Sequence, residues 1–374
     1  MNLLVEDNPA AAARVAPGDP RIPLTRAMSE FLQRGGVVSA STKRAAFAAL
    51  EGVPLAEEPF VLAAVDALVK NEPAEAQRLL AEARRRKPRS ALTRLLLLDR
   101  YLRAGDINNA AGEISALSGL LPQANEVLVG ELARLAQDPK TSKALETALQ
   151  RNPQFRDPLL ERLASNKVNP DLILSFARSV PKSRRTPGPA AWEGKLLGVL
   201  VERNEVGRAY DLWRTFSAPN APETKAGIYD ERFQGLPGTA PFNWDFPASP
   251  AGVAERTKDR MLQVEYYGRD NAELASQLLL LPPGPYRLSV RVEGDAEGQG
   301  SKLSWKIGCH PGNARLLDLV MAKVSYSPRV LAGNFTVPAG GCAAQWLKLV
   351  GTAGEFPKAQ HVTISGIRLE AGTS

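Results

Sequence analysis

The sequence predicts an α + β multidomain chain: an N-terminal α-helical repeat solenoid followed by a C-terminal antiparallel β-sandwich. Three observations carry this. Up to about residue 220, apolar residues recur at three- and four-residue spacing among Ala, Leu, Arg and Glu. Within that stretch, turns and prolines return 34 residues apart. Past about residue 225, Gly and Pro increase, and short alternating strands stand between turn signals.

Residues 1–45 read as an N-terminal extension and a first helix, and residues 46–220 as the repeat array. Asn71 and Gly105 lie 34 residues apart, each in a turn between two helices (VKNEP, RAGDI), and Pro88 and Pro122 repeat the interval. After each turn comes a small-residue helix, PAEAQRLLAEARRRKP and then INNAAGEISALSGLLP. A shorter unit ends at Pro153, and another spans 192–216. Ala76, Ala81 and Ala83, then Ala110, Ala111 and Ala116, allow close helix approach. One helix pair cannot bury its apolar face alone, whereas stacked pairs share a core. The stretch 180–191 (VPKSRRTPGPAA) interrupts the array with prolines. The loop Ser217–Lys225 (SAPNAPETK) has the composition of a linker.

Residues 226–374 form the second domain. Its strand candidates are Arg260–Tyr267, Ser276–Leu281, Gly284–Glu293, Lys302–Cys309, Arg329–Val337, Gln345–Val350 and His361–Glu370. Regular short strands at this spacing indicate an antiparallel sandwich or jelly roll. The string GDAEGQGSK (294–302) is a glycine-rich hairpin turn and lacks the spacing of a phosphate loop.

Composition narrows the chemistry. The 374 residues include two His and two Cys, which leaves little material for a zinc site, a Cys-His or Ser-His nucleophile, or an iron–sulfur cluster. No GxSxG, GxxxxGK[ST], HExxH or helix-opening GxGxxG occurs. Asp230, Glu231 and Asp245 cluster without a spacing that links them to an acid–base pair, and they read as surface charge. The expectation is a non-catalytic protein without cofactor or metal. The net charge is +7, and residues 1–220 hold 31 Lys+Arg against 25 Asp+Glu. That excess suggests acidic partners, not nucleic acid.

The repeat units, each with a first helix, a Gly/Asn/Asp turn, an Ala-containing second helix and a closing Pro, resemble tetratricopeptide repeats over roughly Ala46–Phe216. They lack the Trp-Leu-Gly signature in the first helices. The second half offers IYDERFQGLPGTAPFNWDF, QLLLLPPGPYRLSVRVEG, FTVPAGGCAAQWLKL and VTISGIRLEAG in that order. This succession resembles the jelly-roll carbohydrate-binding modules. The pairing implies a bacterial envelope scaffold in polysaccharide assembly or export, with a glycan on the sandwich and a protein partner on the repeats. A purely structural module whose sandwich binds no sugar is the alternative.

Candidate site residues follow from that implication. Sugar faces stack on Trp and Tyr, and the candidates are Trp244, Tyr266, Tyr267 and Trp346, with Gln277 and Lys348 as polar partners. Trp305 shares a face with Leu303 and Ile307 and belongs to the core, whereas Trp346 alternates against Gln345, Leu347 and Leu349 and points outward. Tyr266 and Tyr267 point to opposite faces, so at most one is a platform. Gln263, Glu265, Arg269 and Lys306 have the ordinary density of solvent-facing strand positions. The basic run Arg84, Arg85, Arg86, Lys87 and Arg89 closes a helix, where cations are favoured. An anionic polysaccharide, lipid headgroups or an acidic partner is its other use. KSRR (182–185) is a second run.

Cys309 ends one strand and Cys342 begins another. A disulfide fits if those strand ends meet, and free buried thiols are the other reading. A disulfide implies an oxidising compartment such as the periplasm. The first residues carry neither a basic lead-in nor an apolar core of signal-peptide length. The expectation is therefore a periplasmic or envelope location with a leader or membrane anchor outside this sequence, and a cytoplasmic one if the N-terminus is native.

Overall fold

The computed structural model describes residues 14, 16–180, 190–216, 227–296, 300–312 and 314–372. The KSRR run, the expected linker at 217–225 and part of the glycine-rich turn lie outside the described residues. The chain forms two compact units, Met1–Leu159 with Ser175–Ser183 and Leu160–Leu174 with Arg184–Ser374. The last helical pair thus falls in the same unit as the sandwich, a division different from the expected one at 217–225.

The helices are α1 (Arg21–Gln33), α2 (Ala40–Ala48), α3 (Glu58–Val69), α4 (Pro73–Arg86), α5 (Ala91–Arg103), α6 (Ile107–Leu120), α7 (Asn125–Gln137), α8 (Pro139–Arg151), α9 (Arg156–Ser165), α10 (Pro170–Ser179), α11 (Ala191–Glu202) and α12 (Val206–Phe216). From α3 onward they come in pairs whose first members begin every 31–35 residues, at Glu58, Ala91, Asn125, Arg156 and Ala191. Asn71, Gly105, Lys167 and Asn204 have φ from +51° to +71° and end the first helix of four of these pairs. At each, the next amide reaches back five residues: Glu72 to Ala67, Asp106 to Tyr101, Val168 to Leu163 and Glu205 to Leu200. This left-handed closure satisfies the last carbonyls and turns the chain. The α7–α8 turn is built differently. Asp138 caps α8, its side chain accepting from the Lys140 amide at 2.9 Å, with Pro139 at the first helical position.

In the first unit Ala76, Leu80 and Ala83 of α4 are buried, as are Leu97 and Tyr101 of α5 and Ala110, Ala111, Ile114 and Leu117 of α6. The small residues let the helices approach, as expected from their spacing, although Ala81 and Ala116 are only half-buried.

The second unit contains the sandwich strands β1 (Gly252–Arg256), β2 (Leu262–Tyr266), β3 (Ala272–Leu279), β4 (Gly284–Asp295), β5 (Lys302–His310), β6 (Arg315–Val320), β7 (Arg329–Val337), β8 (Ala344–Thr352) and β9 (Gln360–Ala371). They make a five-stranded sheet, β1-β2-β9-β4-β7, and a four-stranded sheet, β3-β8-β5-β6. All pairings are antiparallel. Inward-facing residues meet between the sheets: Leu262, Val264 and Tyr266; Leu288, Val290 and Val292; Leu303, Trp305 and Ile307; Leu347 and Leu349; and, either side of a bulge, Ile364 and Ile367.

Before β1 the chain wraps the sandwich from residue 227. Gln277, fully buried, holds it by accepting from the Tyr229 amide and donating to the Tyr229 carbonyl, both at 2.9 Å. Asp230 is also buried, against the expectation of surface charge. Its carboxylate accepts from the amides of Gln234 and Gly235 and lies 3.2 Å from the Arg256 guanidinium. A carboxylate inside a fold is stable only with such partners.

Candidate functional site

The aromatic candidates do not assemble into one platform. Trp244 is 6% exposed. Its indole donates to the Asp230 carbonyl at 3.1 Å and meets Trp305 edge-to-face at 5.7 Å. Tyr266 is fully buried, its hydroxyl donating to the Asp270 carbonyl at 3.0 Å and its ring lying over Gly351. Burial raises its hydroxyl pKa. Trp244, Tyr266 and Gln277 are therefore corrected from candidate ligand contacts to parts of the core: each spends its apolar surface and its polar atoms inside the fold. Tyr267, by contrast, is 40% exposed.

Trp346 and Lys348 lie two residues apart on β8, opposite in sense to the buried Leu347 and Leu349, so they occupy the outer face of the four-stranded sheet. Trp346 is half-buried, and the Lys348 ammonium lies 5.2 Å from its ring centroid. Lys348 also pairs with Glu273 at 2.8 Å. One ring face therefore already has a cation against it. Cys309 and Cys342 are disulfide-bonded, with sulfurs 2.04 Å apart, and join the end of β5 to the turn that precedes β8.

The basic run is largely paired within the helices. Arg84 bonds Glu113, Arg85 and Arg86 pair with Glu82, and Lys87 lies 3.4 Å from Glu57. Glu113 is 2% exposed and also takes Arg94 at 2.7 Å. Arg86 further donates to the Pro54 carbonyl and covers the Phe60 ring. Arg89 is exposed. This arrangement fits helix–helix pairing better than an open anion-binding patch.

Two concave features among the described residues lie elsewhere, on the outer face of the five-stranded sheet. One hollow of about 380 Å³ is floored by Ser289 and Arg291 of β4 and Ser365, Gly366 and Arg368 of β9. Val330 of β7 stands on one side, and Glu231 and Arg232 on the other. That second wall is held in place by the Ile367 amide, which donates to the Glu231 carbonyl at 3.0 Å. A second hollow of about 300 Å³ is lined by Gln263, Glu293, His361 and Thr363, with Tyr326, 80% exposed, at its edge. Both volumes fall at the lower end of the range of small-ligand sites.

Strand register makes the two hollows consecutive. Gln263, Thr363 and Glu293 form one cross-strand row over β2, β9 and β4. Arg291 opposite Gly366 begins the next, and Ser289 opposite Arg368 follows. Successive outward rows stand about 7 Å apart. The face thus presents amide, hydroxyl, imidazole, guanidinium and carboxylate groups in a strip. In the sequence, Gln263 stands out only as a solvent-facing strand position and Glu231 only as surface charge, because polar alternation alone looks like any solvated strand. Among the described residues, no group of three His, Cys, Asp or Glu side chains has the arrangement of a metal site. No described helix is long and apolar enough to cross a membrane.

No protein-family model and no curated protein matches this sequence. Among solved structures, the chain is similar to a CBM4 carbohydrate-binding module at 13% identity, over 39% of this chain and 99% of the other, with a TM-score of 0.30. It is similar to a CBM61 module in complex with β-1,4-galactotriose at 14% identity, over 40% and 97%, with a TM-score of 0.26. A third similarity is to the CBM22-1 xylan-binding domain of Xyn10C from Paenibacillus barcinonensis, at 12% identity over 41% and 97%, with a TM-score of 0.28.

Proposed function

We propose that the β-sandwich is a glycan-binding module and that the whole chain is a non-catalytic adaptor. The observation that carries this reading is the pair of consecutive hollows on the outer face of the five-stranded sheet. Their lining supplies directional donors and acceptors for sugar hydroxyls, and Tyr326 offers an exposed ring beside them. The helical pairs, read as tetratricopeptide-like repeats, take a protein partner along an extended surface. Linking a partner site to a glycan site raises effective affinity without new contacts. Polysaccharide assembly or export in a bacterial envelope is the setting we propose. The Cys309–Cys342 bond supports an oxidising compartment.

The second reading, a structural module that binds no sugar, draws on the outer face of the four-stranded sheet. There Leu278 is only 2% exposed, and its amide donates to the Pro241 carbonyl, so part of a sandwich face already serves internal docking. Titration calorimetry of the full chain with the producing organism's own purified polysaccharide separates the two, with an unrelated neutral glycan as control. Saturable binding supports the adaptor. No heat up to millimolar sugar supports the structural module.

A further inference from the structure

We infer that the larger hollow is built for a sugar unit carrying an oxyanion, held between Arg291 and Arg368; this rests on the glycan-binding reading above. The argument is one of charge and register. On β4 the outward positions Arg287, Ser289 and Arg291 alternate, and β9 answers with Glu370, Arg368 and Gly366 directly opposite them. Glu370 therefore faces Arg287, while Arg368 faces a hydroxyl and Arg291 faces a glycine. The other carboxylate of the hollow, Glu231, lies 4.0 Å from Arg232. Arg291 and Arg368 have no ion-pair partner among the described residues.

Diagonal neighbours on adjacent strands stand about 7–8 Å apart, within mutual reach of long side chains. Glu231 and Glu370 also line the hollow, but neither forms an ion pair with Arg291 or Arg368 among the described residues. The two guanidiniums therefore repel each other, and an anion between them relieves that repulsion. Guanidinium forks match carboxylates and comparable oxyanions with paired hydrogen bonds. Gly366 completes the site. A Cβ built there would meet nothing nearer than the Glu231 carbonyl oxygen at 3.9 Å, so packing does not require a glycine. Its lack of a side chain keeps the floor of the hollow open.

Two sources supply such an oxyanion on a sugar ring, a uronate carboxylate and a sulfate ester. The test is calorimetry of the full chain with matched pairs of oligosaccharides. One pair is a galacturonate oligomer and its carboxyl-reduced form; the other is a sulfated galactan oligomer and its desulfated form. The expected result is that the acidic member of at least one pair binds about tenfold or more tightly than its neutral twin, which identifies the source. Arg291→Gln and Arg368→Gln each remove about that factor for the acidic member and weaken the neutral one by distinctly less. Gly366→Leu fills the floor and abolishes both while leaving thermal unfolding of the chain intact. Equal affinity within both pairs overturns the inference, as does an acidic preference that survives in the double Arg291→Gln, Arg368→Gln variant. In either case glycan binding itself stands. If no member binds, and the producing organism's polysaccharide does not bind either, the glycan reading falls and the inference with it.

Discussion

The indole of Trp213 donates a hydrogen bond to the Thr239 carbonyl at 2.9 Å, tying α12 to the chain that wraps the sandwich. Around this bond Trp213 meets Tyr229 edge-to-face at 5.0 Å and Phe242 at 5.7 Å, and Tyr210 meets Phe242 at 5.2 Å. In the same unit, the His310 imidazole lies 2.8 Å from the Val201 carbonyl near the end of α11. The α11–α12 pair is thus part of the same compact unit as the strands.

Trp213 is 1% exposed, so its removal leaves a cavity at this junction. Trp213→Ala should destabilise the second unit by about 3–5 kcal/mol. Trp213→Phe keeps a ring but loses the donor and should cost less. Urea unfolding followed by amide exchange in α12 and the strands checks the order. Equal stability of all three proteins contradicts the packing described.

The Cys309–Cys342 bond closes a loop across a sequence separation of 33. In the chain-entropy view, a loop of that length contributes about 3–4 kcal/mol by restricting the unfolded chain. The double variant Cys309→Ser, Cys342→Ser should unfold at correspondingly lower denaturant. Reductant should shift the midpoint of the parent protein and leave that of the variant unmoved.

Gly351 lies against the Tyr266 ring, and a Cβ built there would come within 2.4 Å of it. The ring is fully buried and has no room to retreat. Gly351→Ala should therefore cost about 1–3 kcal/mol through overpacking. Gly366→Ala, with open space above it, should be near neutral by the same thermal measurement.

Asp245 keeps contact with solvent, but partial desolvation by the surrounding chain, and then the neighbouring Glu273, raise its carboxyl pKa above the ordinary value. The folded chain therefore holds this proton more tightly than the unfolded chain does. That contribution to stability is fully present below the ordinary carboxyl pKa and is lost as pH rises through the raised one. Carboxyl NMR titration should find Asp245 high in the parent and lower in Glu273→Gln. Asp245→Asn should remove this part of the pH dependence of unfolding.

Much of the fold was legible because its signals are local. Asn71 and Gly105 mark turns by residue type, and both adopt the left-handed conformation that ends a helix. The alternation in β4, β5, β7 and β9 gives their positions to within two residues. β1 and β6 escaped notice for physical reasons. β1 is five residues long, and β6, RLLDLV, is an edge strand whose leucines are half-buried on either face, which blurs the alternation. The site was less legible. Searching for sugar platforms by aromatic residues leads to Trp244 and Tyr266, whose rings the core consumes. The polar strip depends instead on β9 lying between β2 and β4, although it begins some 65 residues beyond β4 in the sequence. No spacing within a single strand announces that neighbourhood.

The most direct test of the central claim is backbone amide NMR of the full chain titrated with fragments of the producing organism's polysaccharide. The account predicts saturable shifts concentrated at Gln263, Arg291, Thr363 and Arg368, with Trp346 and Lys348 unmoved. Shifts centred on Trp346 and Lys348, or none anywhere at millimolar sugar, would contradict it.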